Sequence, residues 1–189
     1  MSARQFGSGR KPRADAQRNR ERLLEAAKAA FTAEGTEASL EEIARRAGVG
    51  IGTLYRHFPT RDAMVAAVYR NEVEQLGAAA ERLLATLPPG EALHRWMRLA
   101  VDYIATKKLM ASALNAMVGG TAALYATSAP RFTEAMKLLV ERAKASGDIR
   151  ADVDSDDLLR ALVGFTYATL NPGGVDPDWR DSALRLVDV

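Results

Sequence analysis

Residues 48–62 read GVGIGTLYRHFPTRD. Glycines stand at 48, 50 and 52, two aromatics and a histidine follow, and Pro59-Thr60 introduces a new helical pattern. Three chemistries compete for such a stretch. A phosphate-cradling glycine loop needs a strand before it, a helix after it, and glycines or a lysine at fixed offsets. Here a helical pattern precedes, no lysine follows, and the glycine spacing fits neither the dinucleotide nor the P-loop arrangement. A catalytic His57 would have no cysteine to act with, and the only other histidine, His94, lies in a different segment. What remains is a pair of short helices around a tight turn.

The flanking residues supply what that arrangement needs. Leu23, Leu24, Ala27 and Phe31 make one apolar stripe across 16–34, closed by Gly35. SLEE at 39–42 is a capping box, in which Ser39 accepts from the amide at 42 and Glu42 reaches back. The helix it opens carries Ile43, Ala44 and Ala47 and stops at Gly48, which supplies the left-handed turn. Val49 plugs that turn, and Ala44 is small enough for close packing. A third helix runs over 51–58 until Pro59 breaks it, and Thr60 caps a long helix over 61–85. Leu54 and Phe58, four apart, turn inward with Ile43 and Phe31. At about 100° per residue, Gly52 and Arg56 then face outward, flanked by Thr53 and Tyr55. Seated in a major groove, this helix aims Thr53 and Arg56 at base edges. Gly52 allows close backbone approach, Tyr55 and His57 lie toward the phosphates, and Arg61 reaches the sugar-phosphate backbone.

The run SLEEIARRAGVGIGTLYRHFPTRDAMVAAVY at 39–69 contains the motif A-G-V-x-x-G-T-L-Y-x-H-F. Over residues 16–75 the chain resembles the DNA-binding domain of the TetR family of bacterial transcriptional regulators. The resemblance implies an Ω-shaped homodimer, each chain placing its third helix in the major groove of a palindromic operator, with a larger helical domain holding an effector pocket. It carries a binding role to Ile51, Gly52, Thr53, Tyr55, His57 and Arg61, while Arg56 rests on the facing argument. Ser39, opening the second helix, completes the expected DNA-contact set. One departure is visible: Gly50 stands where the family commonly has a serine or similar cap. Glycine is a tolerable N-cap, but the hydroxyl that could touch phosphate is missing.

Charge agrees with this division. Residues 1–60 hold 11 Lys/Arg against 7 Asp/Glu, a net of +4, whereas 61–189 hold 15 against 17, a net of −2. A basic head on a mildly acidic body points only the head at a polyanion. The first 15 residues form a basic arm, expected to be flexible. With the residues after it (RKPRADAQRNR, 10–20) it either follows the minor groove and phosphates or is a solvated tail. The chain has no cysteine, which removes disulfides and thiolate metal sites and fits a cytoplasmic location. It shows no apolar run near the ~18 residues of a membrane span, and no apolar h-region of a secretory signal at the N-terminus.

Beyond Pro88-Pro89-Gly90, helices are expected at 91–106, 108–117, 122–127, 130–146, 155–171 and 179–189. Segments 155–171 and 179–189 are the candidates for dimerisation. The first carries apolar residues on more than one face, with Leu159, Leu162, Val163, Gly164, Thr166 and Leu170 proposed at the interface. An effector pocket is expected among Trp96, Tyr103, Met110, Asn115, Met117, Tyr125, Phe132 and Met136, since ligand sites combine apolar lining with a few polar groups. WMRLAVDYIATKKLMASAL at 96–114, with Gly119-Gly120-Thr121 after it, resembles the C-terminal domain of the SbtR-like subgroup. DVDSDD at 152–157 mimics a calcium loop, yet Asp157 replaces its glycine and Val163 its final glutamate. Those residues are better read as a helix start capped by Asp154 or Ser155.

The expected fold is therefore all-α. A basic arm (1–15) precedes a three-helix helix-turn-helix DNA-binding domain (16–62, the motif itself at 39–58) and a helical-bundle effector-binding and dimerisation domain (63–189). The expected function is a homodimeric DNA-binding transcriptional regulator, a repressor released from its operator by a small apolar or amphipathic effector. No cofactor, metal or membrane is expected. A regulator without small-molecule sensing is one alternative. An enzyme using the helical domain is another, disfavoured by the residue inventory.

Overall fold

A computed structural model describes residues 10–168, 170–171, 174–175 and 178–188, with side chains at 14–164 and 178–188. The chain divides into two compact units between Val68 and Tyr69, inside a helix, rather than at residue 62 as the punctuation suggested.

The N-terminal unit begins with α1 (Arg10–Glu34) and a single 3-10 turn (Gly35–Glu37), followed by α2 (Leu40–Arg46), α3 (Ile51–His57) and the start of α4 (Arg61–Leu84). Residues 10–15 of the expected arm belong to α1, because Pro12 falls in the first turn, where its missing N–H is not needed. Residues 1–9 lie outside the described part. Leu23, Leu24, Ala27 and Phe31 of α1 meet Ile43 and Ala44 of α2, Leu54 of α3, Phe58, and Met64 and Val65 of α4 in one buried core. Leu54 and Phe31 are fully enclosed. Truncating a residue of this kind costs ~2–5 kcal/mol.

The α2–α3 turn is built on the backbone. Gly48 adopts φ +66, its N–H donates to Arg45 O at 3.1 Å, and Val49 N donates to Ala44 O at 3.0 Å. This pair of bonds satisfies the carbonyls that α2 would leave open and turns the chain sharply. At the other end of α2, Ser39 Oγ accepts from Glu42 N at 3.3 Å, so half of the capping box forms. The reciprocal half does not. Glu42 points down the helix to Arg45 and Arg46, with bonds of 2.7 Å to each. Arg46 continues to Glu34 at 3.2 Å, joining α2 to α1. These two guanidinium partners lower the Glu42 carboxyl to about 2.

The C-terminal unit comprises the remainder of α4, α5 (Pro89–Leu109), α6 (Ala111–Asn115), α7 (Ala122–Ser146), α8 (Ser155–Ala168) and α9 (Trp179–Val187). Trp96 anchors it: the ring is fully buried, its Nε1 donates to Leu76 O at 2.8 Å, and it packs on Phe132 at 5.2 Å. Met136, Leu139 and Val140 of α7, Leu162 of α8, and Ala183 and Val187 of α9 complete the same core. Asp188 receives Arg98 and His94, and Asp102 receives Arg180, which ties α9 to α5 at the surface.

Two element boundaries differ from the sequence reading. Segments 122–127 and 130–146 are one helix, α7, with Pro130 inside it. A proline there forfeits the bond to the carbonyl of Ala126, at ~3 kcal/mol. Leu124 and Ser128 before it, and Ala135, Met136, Leu139 and Ala143 after it, are all buried, and that packing outweighs the loss. Segment 155–171 ends its helix at Ala168; Leu170–Asn171 then pairs antiparallel with Gly174–Val175. Asn171 precedes Pro172, and a residue before proline favours extended geometry over helix. At 152–157, Asp154 is the cap, accepting from Asp156 N at 2.8 Å and Asp157 N at 3.1 Å. Among the described residues no cluster of metal-ligating side chains occurs.

Replacing Gly48 by alanine forces a Cβ into a left-handed backbone and should lower the unfolding free energy by about 1–2 kcal/mol, read as a reduced urea midpoint at constant slope. Gly50→Ser, at an extended N-cap with nothing within 4 Å of an added Cβ, should be neutral or slightly stabilising. Equal midpoints for wild type and Gly48→Ala would refute the account of the turn.

Candidate nucleic-acid interface and interior cavity

The burial of Leu54 and Phe58 decides which side of α3 meets solvent. Ile51 and Tyr55 are exposed at 38% and 45%, Gly52 and Arg56 are exposed, and Thr53 and His57 are half-buried. Arg56 lies along the outer face, its Nε donating to Gly52 O at 3.2 Å and a terminal nitrogen to Thr53 Oγ1 at 2.9 Å. Two of the five N–H donors of a guanidinium are thereby used to hold the exposed side chain in place. Gly52 has no internal reason to be glycine. An added Cβ would meet nothing within 4 Å, and glycine inside a helix costs ~1 kcal/mol relative to alanine. The helix therefore presents bare backbone to the outside at this position.

Arg61 does something other than sequence reading expected. Its guanidinium donates to the carbonyls of Ala38 (2.5 Å), Thr36 (2.6 Å) and Gly35 (3.1 Å) and lies over the Phe31 ring at 5.2 Å. It donates to three carbonyls of the passage between α1 and α2, filling acceptor positions there. Those bonds turn it inward, away from a sugar-phosphate contact. Ser39 is similarly engaged, capping α2 and donating to Glu41 at 3.0 Å.

In the C-terminal unit four helices line a partly open cavity of about 270 Å³. Tyr69 comes from α4, Tyr103, Ile104 and Lys107 from α5, Tyr125, Phe132 and Thr133 from α7, and Leu159 and Val163 from α8. The rings form a chain: Tyr69 to Tyr125 at 5.3 Å, Tyr69 to Tyr103 at 6.3 Å, and Tyr103 to Phe132 at 5.9 Å. Lys107 Nζ sits 4.2 Å from the centre of the Tyr125 ring, and burial holds its ammonium below the usual lysine range. A smaller recess beside it is lined by Met110 and Leu114, along with Tyr69, Glu72, Tyr103, Thr106 and Lys107.

Comparison with known proteins turns this geometry into an identity. Residues 23–68 match the bacterial regulatory proteins of the tetR family, and residues 88–189, more than half of the chain, match the C-terminal domain of SbtR-like transcriptional regulators. The chain belongs to the TetR family. It is similar to a TetR transcriptional regulator of Streptomyces coelicolor, at 46% identity over 89% of this chain and 94% of that one, with a TM-score of 0.78. A TetR regulatory protein of Mycobacterium vanbaalenii is 40% identical over 81% of this chain and 92% of that one, with a TM-score of 0.72. An HTH-type transcriptional regulator of Staphylococcus aureus is 28% identical over 79% of this chain and 80% of its own length. These relatives regulate transcription and are not enzymes; this chain is a DNA-binding transcriptional regulator.

In this TetR-family chain, Ile51, Gly52, Thr53, Tyr55, Arg56 and His57 come together on α3, while exposed Ser39 caps α2 and Arg61 bonds to the backbone between α1 and α2. Of the residues expected around an effector, Tyr103, Tyr125 and Phe132 line the cavity and Met110 the adjoining recess. Trp96 and Met136 are sealed in the core instead, because α5 and α7 pack directly at that level. Asn115 is exposed and Met117 half-buried, and neither lines the cavity. Leu159 and Val163, expected at a dimer interface, line the cavity, and Leu162 is buried in the core of its own chain. Gly164 is exposed, whereas the side chains of Thr166 and Leu170 lie outside the described residues. Tyr69, Lys107 and Thr133 were missed. The usable signal for Lys107 was its position three and four residues after Ile104 and Tyr103, on a stripe otherwise apolar.

Removing the Arg61 side chain should lower thermal stability, by about 2–3 kcal/mol for lost bonds from a charged donor. Arg61→Lys should recover only part of it, because an ammonium cannot fork across three carbonyls. An unchanged melting temperature with weakened DNA binding would instead make Arg61 a phosphate contact.

Proposed function

We propose that the protein is a repressor that binds a palindromic operator as a homodimer and leaves it when a small molecule occupies the cavity of the C-terminal unit. The outward set on α3 carries the DNA half of this reading. Thr53 and Arg56, already hydrogen-bonded to each other, meet base edges, Gly52 lets the helix backbone approach, and Ile51, Tyr55 and His57 contact the flanking sugar-phosphate surface. Residues 1–15 extend the basic character of this unit toward the same polyanion, as their charge supports.

Dimerisation uses the outer sides of α8 and α9, where Gly164 and the half-exposed Leu186 remain uncovered within one chain. Two copies then set their α3 helices about 34–36 Å apart, one DNA turn. The cavity supports effector control: it is apolar, aromatic and bordered by few polar groups, as ligand sites are. An effector releases DNA only by binding the released state more tightly than the DNA-bound one. α4, which contributes residues to both units, is the covalent element through which that preference is transmitted. Such a regulator works beside its DNA in the cytoplasm, and no described helix is long and apolar enough to cross a membrane.

Selection of binding sites from random duplexes tests the reading. The wild type should enrich an inverted repeat, and Arg56→Ala should lose base preference at one position in each half-site, about 1–3 kcal/mol per position. His57→Ala should weaken all sequences alike. An unrelated or unpaired enriched sequence, or undiminished specificity in Arg56→Ala, would overturn the assignment of α3.

A further inference from the structure

Among the described residues, Lys107 is the one cationic side chain on the wall of the aromatic cavity. It reaches that wall from the last turn of α5, where a helix C-terminus favours a cation, but the neighbouring Lys108 uses the same position differently, lying over Trp179 at 3.8 Å. Among the described residues, no carboxylate stands within ion-pair distance of Lys107, and its ammonium donates no hydrogen bond. The half-buried ammonium lies over the face of Tyr125, and Glu72 shares the adjoining recess with it. A cation–π contact of this kind contributes ~0.5–2 kcal/mol, and partial burial on the cavity side still holds the ammonium below the usual lysine range. Nothing in the packing demands the charge: a methionine would fill the same space among Tyr103, Tyr125 and Ile104.

The rest of the cavity says what would complete it. Its walls are rings and aliphatic side chains, with the Thr133 hydroxyl donating to Pro130 O at 3.0 Å. The volume lies at the small end of ligand sites, which run ~300–1,000 Å³. An apolar body bearing one negative head fits both features. The head would gain an ion pair in a low-dielectric setting, where such a pair is stronger than in water, with its partner already held in place.

We propose that the cavity binds a small amphipathic carboxylic acid, its carboxylate on Lys107 and its apolar part among Tyr103, Tyr125 and Phe132. This rests on the reading of the cavity as an effector site. It narrows that reading from any apolar molecule to an organic anion.

Calorimetry with the full-length protein tests it, using phenylbutyrate, indoleacetate and octanoate, each beside its neutral primary amide. At least one acid should bind about tenfold or more tighter than its amide, a difference of ~1.4 kcal/mol. Lys107→Met should abolish that preference while leaving amide affinity and melting temperature near wild type. Lys107→Arg should retain the preference. Amides binding as well as acids, or a preference surviving in Lys107→Met, would overturn the anion assignment and leave the effector pocket standing. If neither acids nor amides bind the wild type, the pocket reading itself fails, and this inference with it.

Discussion

Everything the N-terminal unit does follows from Leu54 and Phe58 being buried. α3 is seven residues long and cannot hold its shape alone, since helices this short are marginal in water. Packing against Phe31 and Ile43 supplies the missing stability and orients the helix at the same time. Once those two side chains are inside, the helical period leaves Gly52 and Arg56 outside. The outward face of α3 is thus the complement of a core, and a shift of register by one residue would swing it about 100° around the helix axis.

Backbone satisfaction reinforces that orientation. The turn before α3 closes its carbonyls through Gly48, and the passage from α1 to α2 closes its own through Arg61. An arginine placed just after a recognition helix looks, in sequence, like a phosphate contact. Here three carbonyls lie within reach and the Phe31 ring offers a face, so the guanidinium finds its partners inside the unit. Glu42 illustrates the same competition at smaller scale. Two arginines one turn away outbid the backbone amide that a capping box would have given it.

The C-terminal unit combines two kinds of aromatic packing. Trp96 is sealed, with its indole N–H bonded to Leu76 O, and it fixes α5 against α4. Along the same side of α5, Tyr103 and Lys107 stand about two and three turns further on, where α7 and α8 no longer fill the space between them, and a cavity results. The continuity of α7 through Pro130 matters here, because one unbroken helix carries Tyr125 and Phe132 to the same wall. Leu159 and Val163 close it from α8.

The sequence by itself determined the helical class, the helix-turn-helix at 39–58, the inward pair on α3 and the family, because these depend on local periodicity, caps and a glycine that needs a left-handed turn. Aromatic and methionine residues of the larger domain were legible as interior, but their division between core and cavity was not. Tertiary structure alone decided that Trp96 and Met136 are packed solid while Tyr69 and Lys107 face open volume, and that Arg61 turns to carbonyls 23 to 26 positions earlier. The physical reason is common to both: burial and hydrogen-bond satisfaction between segments distant in the chain depend on which surfaces meet, and no local spacing encodes that.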